Sequence, residues 1–225
     1  MNTTTPPDNK PKQARSGLTQ QKIIRAAARV INEFGVQNAT LEKITQESGI
    51  TTGAIYFHFK NRDALMERLG NEARNLYFRI VKDCLNKDED QFSNIVSVSR
   101  GLSENISKDP ILRSGFAMFV CNNAGNQSEL IEETRLLTAA EASAEDSIDT
   151  QSWAFIVSMV IGEFAISLVK NDFNSLIDRM YQNWQTCVSG LFSEQFSQTH
   201  LDQINQVFSQ NKQESEQHIS LSVNV

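Results

Sequence analysis

Residues 39–65 read ATLEKITQESGITTGAIYFHFKNRDAL, and this stretch decides the fold of the N-terminal part of the chain. Gly49 lies between two short segments with helical spacing of their apolar residues, 41–48 and 51–58. A tight turn between two helices needs a residue that tolerates a positive φ, and glycine tolerates it without steric cost. The stretch therefore predicts two short helices joined by a turn.

The segments on either side of this stretch also have helical patterns. Apolar residues recur at helical spacing over 18–34, where Thr19 is a candidate N-cap and Gly35 a candidate stop. Asn61 is a candidate N-cap for a long helix over 62–85. Residues 17–62 are therefore predicted to form a three-helix domain with a helix-turn-helix.

The rest of the chain keeps the helical period, and no strand-like alternation bounded by hairpin turns occurs in it. We therefore predict an all-α fold, in which an N-terminal three-helix helix-turn-helix domain precedes a larger helical domain. The further helices are predicted near 91–107, 110–122, 128–144, 150–170 and 174–193.

Four regions follow from these patterns. Residues 1–16 are polar and basic, which predicts a flexible arm. The helix-turn-helix domain is predicted at 17–62 and the larger helical domain at 63–193. The tail, 194–225, is rich in Ser, Gln and Asn and is predicted to be largely disordered. One short amphipathic helix is predicted inside the tail, with Leu201, Ile204, Val207 and Phe208 on its apolar face.

The charge of the chain is unevenly distributed. Residues 1–80 hold twelve Lys and Arg against seven Asp and Glu, whereas 81–225 hold nine against twenty, so the formal net charge of −6 hides a basic first third. A basic module on an acidic body is typical of a protein whose first domain faces DNA. The alternative is a chance clustering of solvated surface charge.

Other classes of protein receive little support from the sequence. The N-terminus has no apolar segment of the secretory kind. The most apolar run, 153–169, contains Glu163, which favours a buried helix over a membrane span. Cys84, Cys121 and Cys187 lie far apart, as expected of reduced thiols in a cytoplasmic protein without a bound metal. No pattern of catalytic or cofactor-binding residues occurs, so neither an enzyme nor a cofactor is predicted.

The start of the second short helix has the residues that a groove-binding helix needs. Thr51 and Thr52 offer hydroxyls that both donate and accept, and Gly53 removes a side chain that would block close approach to DNA. Ile55 and Phe59, four residues apart, are expected to anchor the helix to its core. This helix is therefore the predicted reader of the major groove.

Polar tips and positive charges surround this helix. Tyr56 and His58 are expected to point outward towards phosphate oxygens, and Lys60 and Arg62 add charge to the same edge. Thr40 opens the preceding helix, where its hydroxyl and the positive end of the helix dipole would bind a phosphate. Taken singly, Tyr56 and His58 could instead be half-buried residues with satisfied hydrogen bonds.

This block resembles the DNA-binding signature of the TetR-type regulators over roughly residues 18–70, with the Gly-x-x-Tyr-x-His-Phe run its most specific part. Two later features, ISKDPILRSGF at 106–116 and a helix with Trp184, are similar to the γ-butyrolactone-receptor branch. Glu42 departs from the small or basic residue that many members have, so no base contact is carried over to it. By this resemblance the DNA contacts are Thr40, Thr51, Thr52, Gly53, Tyr56, His58 and Arg62.

The resemblance implies a homodimeric repressor that a small lipophilic ligand releases from a near-palindromic operator, whose half-sites lie ~34–36 Å apart. A ligand in the larger domain would tilt the helix at 62–85 and change the spacing of the DNA-binding domains. The alternative is a DNA-bound adaptor whose larger domain binds a protein partner. The candidate pocket residues are Phe92, Phe116, Phe119, Trp153, Met159 and Phe164. The candidate dimer residues are Trp153, Ile156, Val160, Phe164, Ile177, Tyr181, Trp184 and Val188.

Overall fold

The computed structural model describes residues 10–121, 126–140, 148–191 and 198–209, which form ten helices and no β-strand. The predicted all-α fold is confirmed, and the five helices predicted after residue 90 begin within two residues of the expected positions. The helices are α1 (Lys10–Phe34), α2 (Leu41–Ser48), α3 (Thr52–His58), α4 (Arg62–Cys84), α5 (Gln91–Lys108), α6 (Pro110–Cys121), α7 (Asn126–Ala140), α8 (Thr150–Lys170), α9 (Leu176–Leu191) and α10 (198–209).

The described residues form two compact units. The first unit runs to Asn75 and also contains α6, and the second contains Leu76–Asp109 and the described residues after α6. This division falls at a different place from the predicted domain bounds of 17–62 and 63–193. Helix α4 continues from one unit into the other.

The core of the first unit surrounds α1. Its apolar side chains repeat at helical spacing and are excluded from solvent, which is the main source of stability of such a domain. The other helices each add apolar side chains to the same cluster. Its largest members are Ile23, Ile24, Ile31, Ile44, Ile55, Phe59, Leu65, Leu69, Ile111 and Met118.

Helix α6 belongs to the first unit because it packs along α1, and at one point it also approaches α4 closely. A Cβ atom on Gly115 would lie 2.2 Å from the Cβ of Ala73, so only glycine allows this approach. Asn32 of α1 also donates a 2.9 Å hydrogen bond to the carbonyl of Pro110. These contacts join residues far apart in the sequence.

The prediction of a flexible arm over 1–16 is wrong for residues 10–16, because α1 begins at Lys10. Thr19 is consequently not an N-cap, and its hydroxyl donates to the carbonyl of Arg15 inside the helix. Pro11 lies in the first helical turn, where a missing N–H costs nothing, and one glycine at position 17 does not stop the helix. Residues 1–9 lie outside the described residues.

The core of the second unit lies between α5 and α9. Trp184 of α9 is fully buried, and its indole N–H donates a 2.7 Å hydrogen bond to the hydroxyl of Ser99 of α5. Phe92 meets the same indole edge to face at 5.4 Å. These contacts bury the aromatic rings and satisfy the indole donor.

The C-terminal helix α10 packs on this unit. The short amphipathic helix predicted there is confirmed, since Ile204 and Val207 are buried. Burial of this apolar stripe stabilises the helix, as the sequence predicts for this part of the tail. Residues 194–197 and 210–225 lie outside the described residues.

Helix α8 is long and apolar enough to cross a membrane by length and composition alone. Only about a quarter of the apolar part of α8 is buried. The prediction of a buried helix over 153–169 is therefore only partly right. The side chains that face the chain's own core are Trp153, Ile156, Glu163, Phe164 and Ser167. The opposite face is exposed, and Phe155 and Val169 lie on it.

Candidate nucleic-acid interface

Helices α2 and α3 meet at a glycine turn. Gly49 has φ of 63°, and its N–H donates to the carbonyl of Thr45 at 2.9 Å, so it ends α2 as the sequence predicts. The N–H of Ile50 then donates to the Ser48 hydroxyl at 3.2 Å. Thr45 and Thr52 bring their hydroxyl oxygens within 3.4 Å of each other across the turn. These bonds hold α3 in a fixed orientation beside α2.

Helix α3 has one buried face and one exposed face. Ile55 is fully buried and Phe59, its C-cap, is 5% exposed, so the two predicted anchors are confirmed. Thr51 is the N-cap, and its hydroxyl accepts from the N–H of Ala54 at 3.3 Å, which leaves its own proton free to donate outward. The exposed side is formed by Thr51, Thr52, Gly53, Tyr56 and Phe57.

Thr40 occupies the position that the sequence predicts for it. It is the N-cap of α2, is exposed, and accepts from the N–H of Lys43 at 3.4 Å. Glu42 is exposed in the first turn of the same helix, where a carboxylate is favourable to the helix dipole. The positive end of α2 therefore has both a hydroxyl and a carboxylate beside it.

Phe57 was missed by the sequence reasoning, which considered only polar tips on this helix. It is 82% exposed, more than Tyr56 at 53%. The signal was present in the sequence, because inward anchors at Ile55 and Phe59 turn position 57 outward. An exposed phenyl ring suits contact with a thymine methyl group in the major groove.

His58 and Lys60 lie beside this aromatic pair. His58 is half-buried, and its ring meets the Phe57 ring edge to face at 5.3 Å. Lys60 is exposed directly after the end of α3. His58 is thus the last residue of α3, and Lys60 follows two residues later, so both are close in sequence to the exposed residues of α3.

Arg62 is held by the protein itself. Its Nε donates to the carbonyl of Ala39 at 2.8 Å and its Nη2 to the carbonyl of Val36 at 2.6 Å. Its Nη1 lies 3.8 Å from the carboxylate of Asp63. The predicted phosphate contact of Arg62 stays a prediction, and two of the donors that it would use are occupied by carbonyls.

The six candidate pocket residues are not brought together within one unit. Phe116 and Phe119 stack at 5.8 Å on α6 of the first unit, whereas the other four belong to the second. Phe92 is 4% exposed and contacts aromatic rings of its own unit. A polar cavity of about 200 Å³ lies elsewhere in the second unit and is lined by Asp88, Glu89, Asp90, Ser93, Gln203, Gln206 and Val207.

Five of the eight candidate dimer residues are buried by their own chain. They cannot form an interface without unfolding the subunit core, so this part of the interface prediction needs correction. Tyr181 is half-exposed and donates to Asn205 of α10 at 2.7 Å. The five buried residues are Trp153, Ile156, Phe164, Trp184 and Val188.

Comparison with known proteins agrees with this geometry. Residues 23–69 match the family described as bacterial regulatory proteins, tetR family. The A-factor receptor protein of Streptomyces griseus is 36% identical over 61 residues, which cover 27% of this chain and 22% of that protein. The chain therefore spans well under half the length of the first curated relatives that it matches, 22% and 34%.

Solved structures share the fold over most of the chain. CprB of Streptomyces coelicolor in complex with its operator has a TM-score of 0.68 at 19% identity, over 87% of this chain and 98% of that one. A γ-butyrolactone receptor, described as ArpA-like, has a TM-score of 0.64 at 19% identity, over 86% and 98%. Fold and exposed surface define an all-helical helix-turn-helix protein. The match to the tetR family of bacterial regulatory proteins covers residues 23–69, which contain the helix-turn-helix.

Proposed function

We propose that this chain is a homodimeric, cytoplasmic transcriptional regulator that binds duplex DNA through α3, and that it is not an enzyme. The observation that carries the proposal is the two-sided character of α3. Ile55 and Phe59 lie on the buried face of α3. The opposite face is exposed and is formed by Thr51, Thr52, Gly53, Tyr56 and Phe57. A helix of this kind can enter the major groove with its small N-terminal residues at the base edges.

Selection of bound sequences from a random duplex library with the full chain tests DNA binding. We expect enrichment of near-palindromic sites with half-sites ~34–36 Å apart. Tyr56→Ala should weaken binding to the selected site. Leu136→Ala, at 54% exposure on α7, is the matched control for Tyr56 at 53% and should bind normally. A folded chain that enriches no sequence would refute the proposal.

The exposed face of α8 supports the proposal of a dimer. Phe155, Ile166 and Val169 are 48%, 46% and 88% exposed, and they recur with Ser158 and Gly162 at spacings of three and four residues. A Cβ atom on Gly162 would meet nothing within 4 Å. A second copy of the same helix would cover this stripe, on the side opposite to Trp153 and Ile156.

Sedimentation in buffer without detergent tests this arrangement. We expect the wild type to be a dimer and Val169→Glu to be a folded monomer, because a carboxylate would be buried without a partner. Leu136→Glu places the same charge on an exposed apolar site of α7 and should remain dimeric. A monomeric wild type that floats with lipid vesicles would show instead that the stripe binds a membrane.

We further propose that a small lipophilic molecule regulates DNA binding and that the regulation is repression. The likeness to the A-factor receptor protein and to a γ-butyrolactone receptor supports this class of ligand. The continuity of α4 through both units supports its role as the moving element. A panel of lipophilic lactones should contain a compound that raises the melting temperature and releases the operator. Failure of all such compounds, with a protein partner captured on operator DNA, would favour the adaptor.

A further inference from the structure

The loop between α1 and α2 is held by positively charged side chains through its carbonyl groups. Arg62, the first residue of α4, donates to Val36 and Ala39, as given above. Lys43 of α2 donates its Nζ to the carbonyl of Asn38 at 3.2 Å. Three carbonyls within four residues are therefore bonded to two cations.

These bonds act immediately before the N-terminus of α2. Ala39 is fully buried, so its carbonyl needs a donor from the protein. Thr40 follows it directly and begins α2 with its own hydroxyl. The direction of the Ala39 carbonyl therefore constrains where the Thr40 hydroxyl and the first N–H groups of α2 point.

The geometry points to a positioning role for Arg62. We propose that Arg62 supports DNA binding by holding the Val36–Ala39 loop, and thereby Thr40, and that it does not neutralise a phosphate itself. This inference rests on the proposed function. Nε and Nη2 of the guanidinium donate to the loop. Nη1 lies near the carboxylate of Asp63, and this negative charge offsets the positive charge of Arg62 on the solvent side.

Lysine at this position distinguishes the two roles. A lysine keeps the positive charge and would still attract a phosphate, but its single nitrogen lacks the fork that bonds two carbonyls. Arg62→Lys should therefore weaken operator binding about as much as Arg62→Ala, by roughly tenfold or more. Lys60→Ala is the control, because Lys60 is exposed and lies two residues away.

Salt dependence gives the second readout. Each phosphate contact contributes about −0.9 to the slope of log affinity against log salt concentration. We expect Arg62→Lys and Arg62→Ala to keep the wild-type slope and Lys60→Ala to lower its magnitude by about one. Wild-type affinity in Arg62→Lys, or a slope reduced by about one in Arg62→Ala, would overturn the inference.

A double-mutant cycle shows whether the effect passes through Thr40. In a Thr40→Ala background, Arg62→Lys should reduce the affinity for the operator only slightly further. If the losses in binding free energy of the two substitutions add instead, the residues act independently and the inference is overturned. If the Arg62→Ala protein is unfolded at the assay temperature, the same measurements are made with Arg62→Gln, whose side chain keeps one amide group as a donor. A wild type that binds no duplex would refute the proposed function, whereas normal binding by Arg62→Lys would refute this inference alone.

Discussion

The carboxylate of Glu163, in the middle of α8, accepts a 2.6 Å hydrogen bond from Nε of Arg179 on α9. Arg179 also donates to the Ser167 hydroxyl at 2.7 Å and to the Asp172 carboxylate at 2.9 Å. Asn183 donates to the second Glu163 oxygen at 2.9 Å. The hydrogen bond to Glu163 raises the pKa of the Arg179 guanidinium. The negative charge of Glu163 inside the apolar helix α8 is thus paired with the positive charge of Arg179 on α9.

Glu163→Ala should lower the free energy of unfolding by about 3 kcal/mol, because it leaves a half-buried guanidinium short of its main partner. The value lies at the low end for a buried pair since Asp172 still accepts from Arg179. Urea denaturation measures it. Glu132→Ala removes an exposed pair with Arg135 and should cause no resolvable change. Equal effects of the two substitutions would show that burial of the pair does not matter.

Phe57→Ala should weaken operator binding by roughly tenfold and leave the melting temperature unchanged, because the ring is 82% exposed and contributes little to the core. Fluorescence anisotropy and thermal denaturation measure the two effects. Phe59→Ala is the contrasting control, since that ring is 5% exposed and its removal should cost about 3 kcal/mol of stability. Unchanged affinity in Phe57→Ala would remove this residue from the DNA-binding surface.

Gly53→Val should abolish specific DNA binding while the protein stays folded and dimeric. A Cβ atom on Gly53 meets nothing within 4 Å inside the protein, so any clash would arise with DNA. Gly49→Val is the matched control, because the space there is equally open but φ is +63°, which costs a branched residue about 1–2 kcal/mol. Size exclusion, melting and anisotropy separate the two cases. A Gly53→Val protein that binds DNA normally would contradict close approach at this position.

Alkylation should distinguish the three thiols of the native protein. Burial raises the pKa of Cys84 and of Cys187 to about 11, so at pH 8 roughly one in a thousand is a thiolate. Cys121 is exposed at the end of α6. We expect iodoacetamide to modify one thiol quickly and Cys121→Ser to abolish that fast phase, as read by intact mass. Fast modification of two or three thiols would contradict the burial of Cys84 and Cys187.

The N-cap of α8 should make stability depend on acid pH. Hydrogen bonds from Ser152, side chain first and then backbone, lower the pKa of the Asp149 carboxyl. Its contribution is therefore complete above the ordinary aspartate pKa of about 3.9 and is lost as pH falls through the lowered value. The melting temperature of Asp149→Asn should lie below that of the wild type at pH 7 and approach it at pH 2. A constant difference would show that the charge of the cap is irrelevant.

The helix-turn-helix could be predicted because its determinants are local. Gly49 ends α2, Thr51 caps α3, and Ile55 and Phe59 point inward, each through contacts that follow from spacing of a few residues. The sequence also contained the signal for Phe57, which attention to polar residues overlooked. Arg62 differs, because its carbonyl partners lie 23 and 26 residues away and spacing does not reveal them.

The sequence by itself determined that the chain is helical, where most helices begin, and which residues of α3 face outward, because these properties depend on neighbours within one or two turns. Only the tertiary structure decided that α6 joins the first unit, through its packing along α1 and the close approach of Gly115 to Ala73. It also decided which face of α8 turns inward. Both faces of that helix are apolar, and periodicity shows which residues share a face but not which other helix covers it.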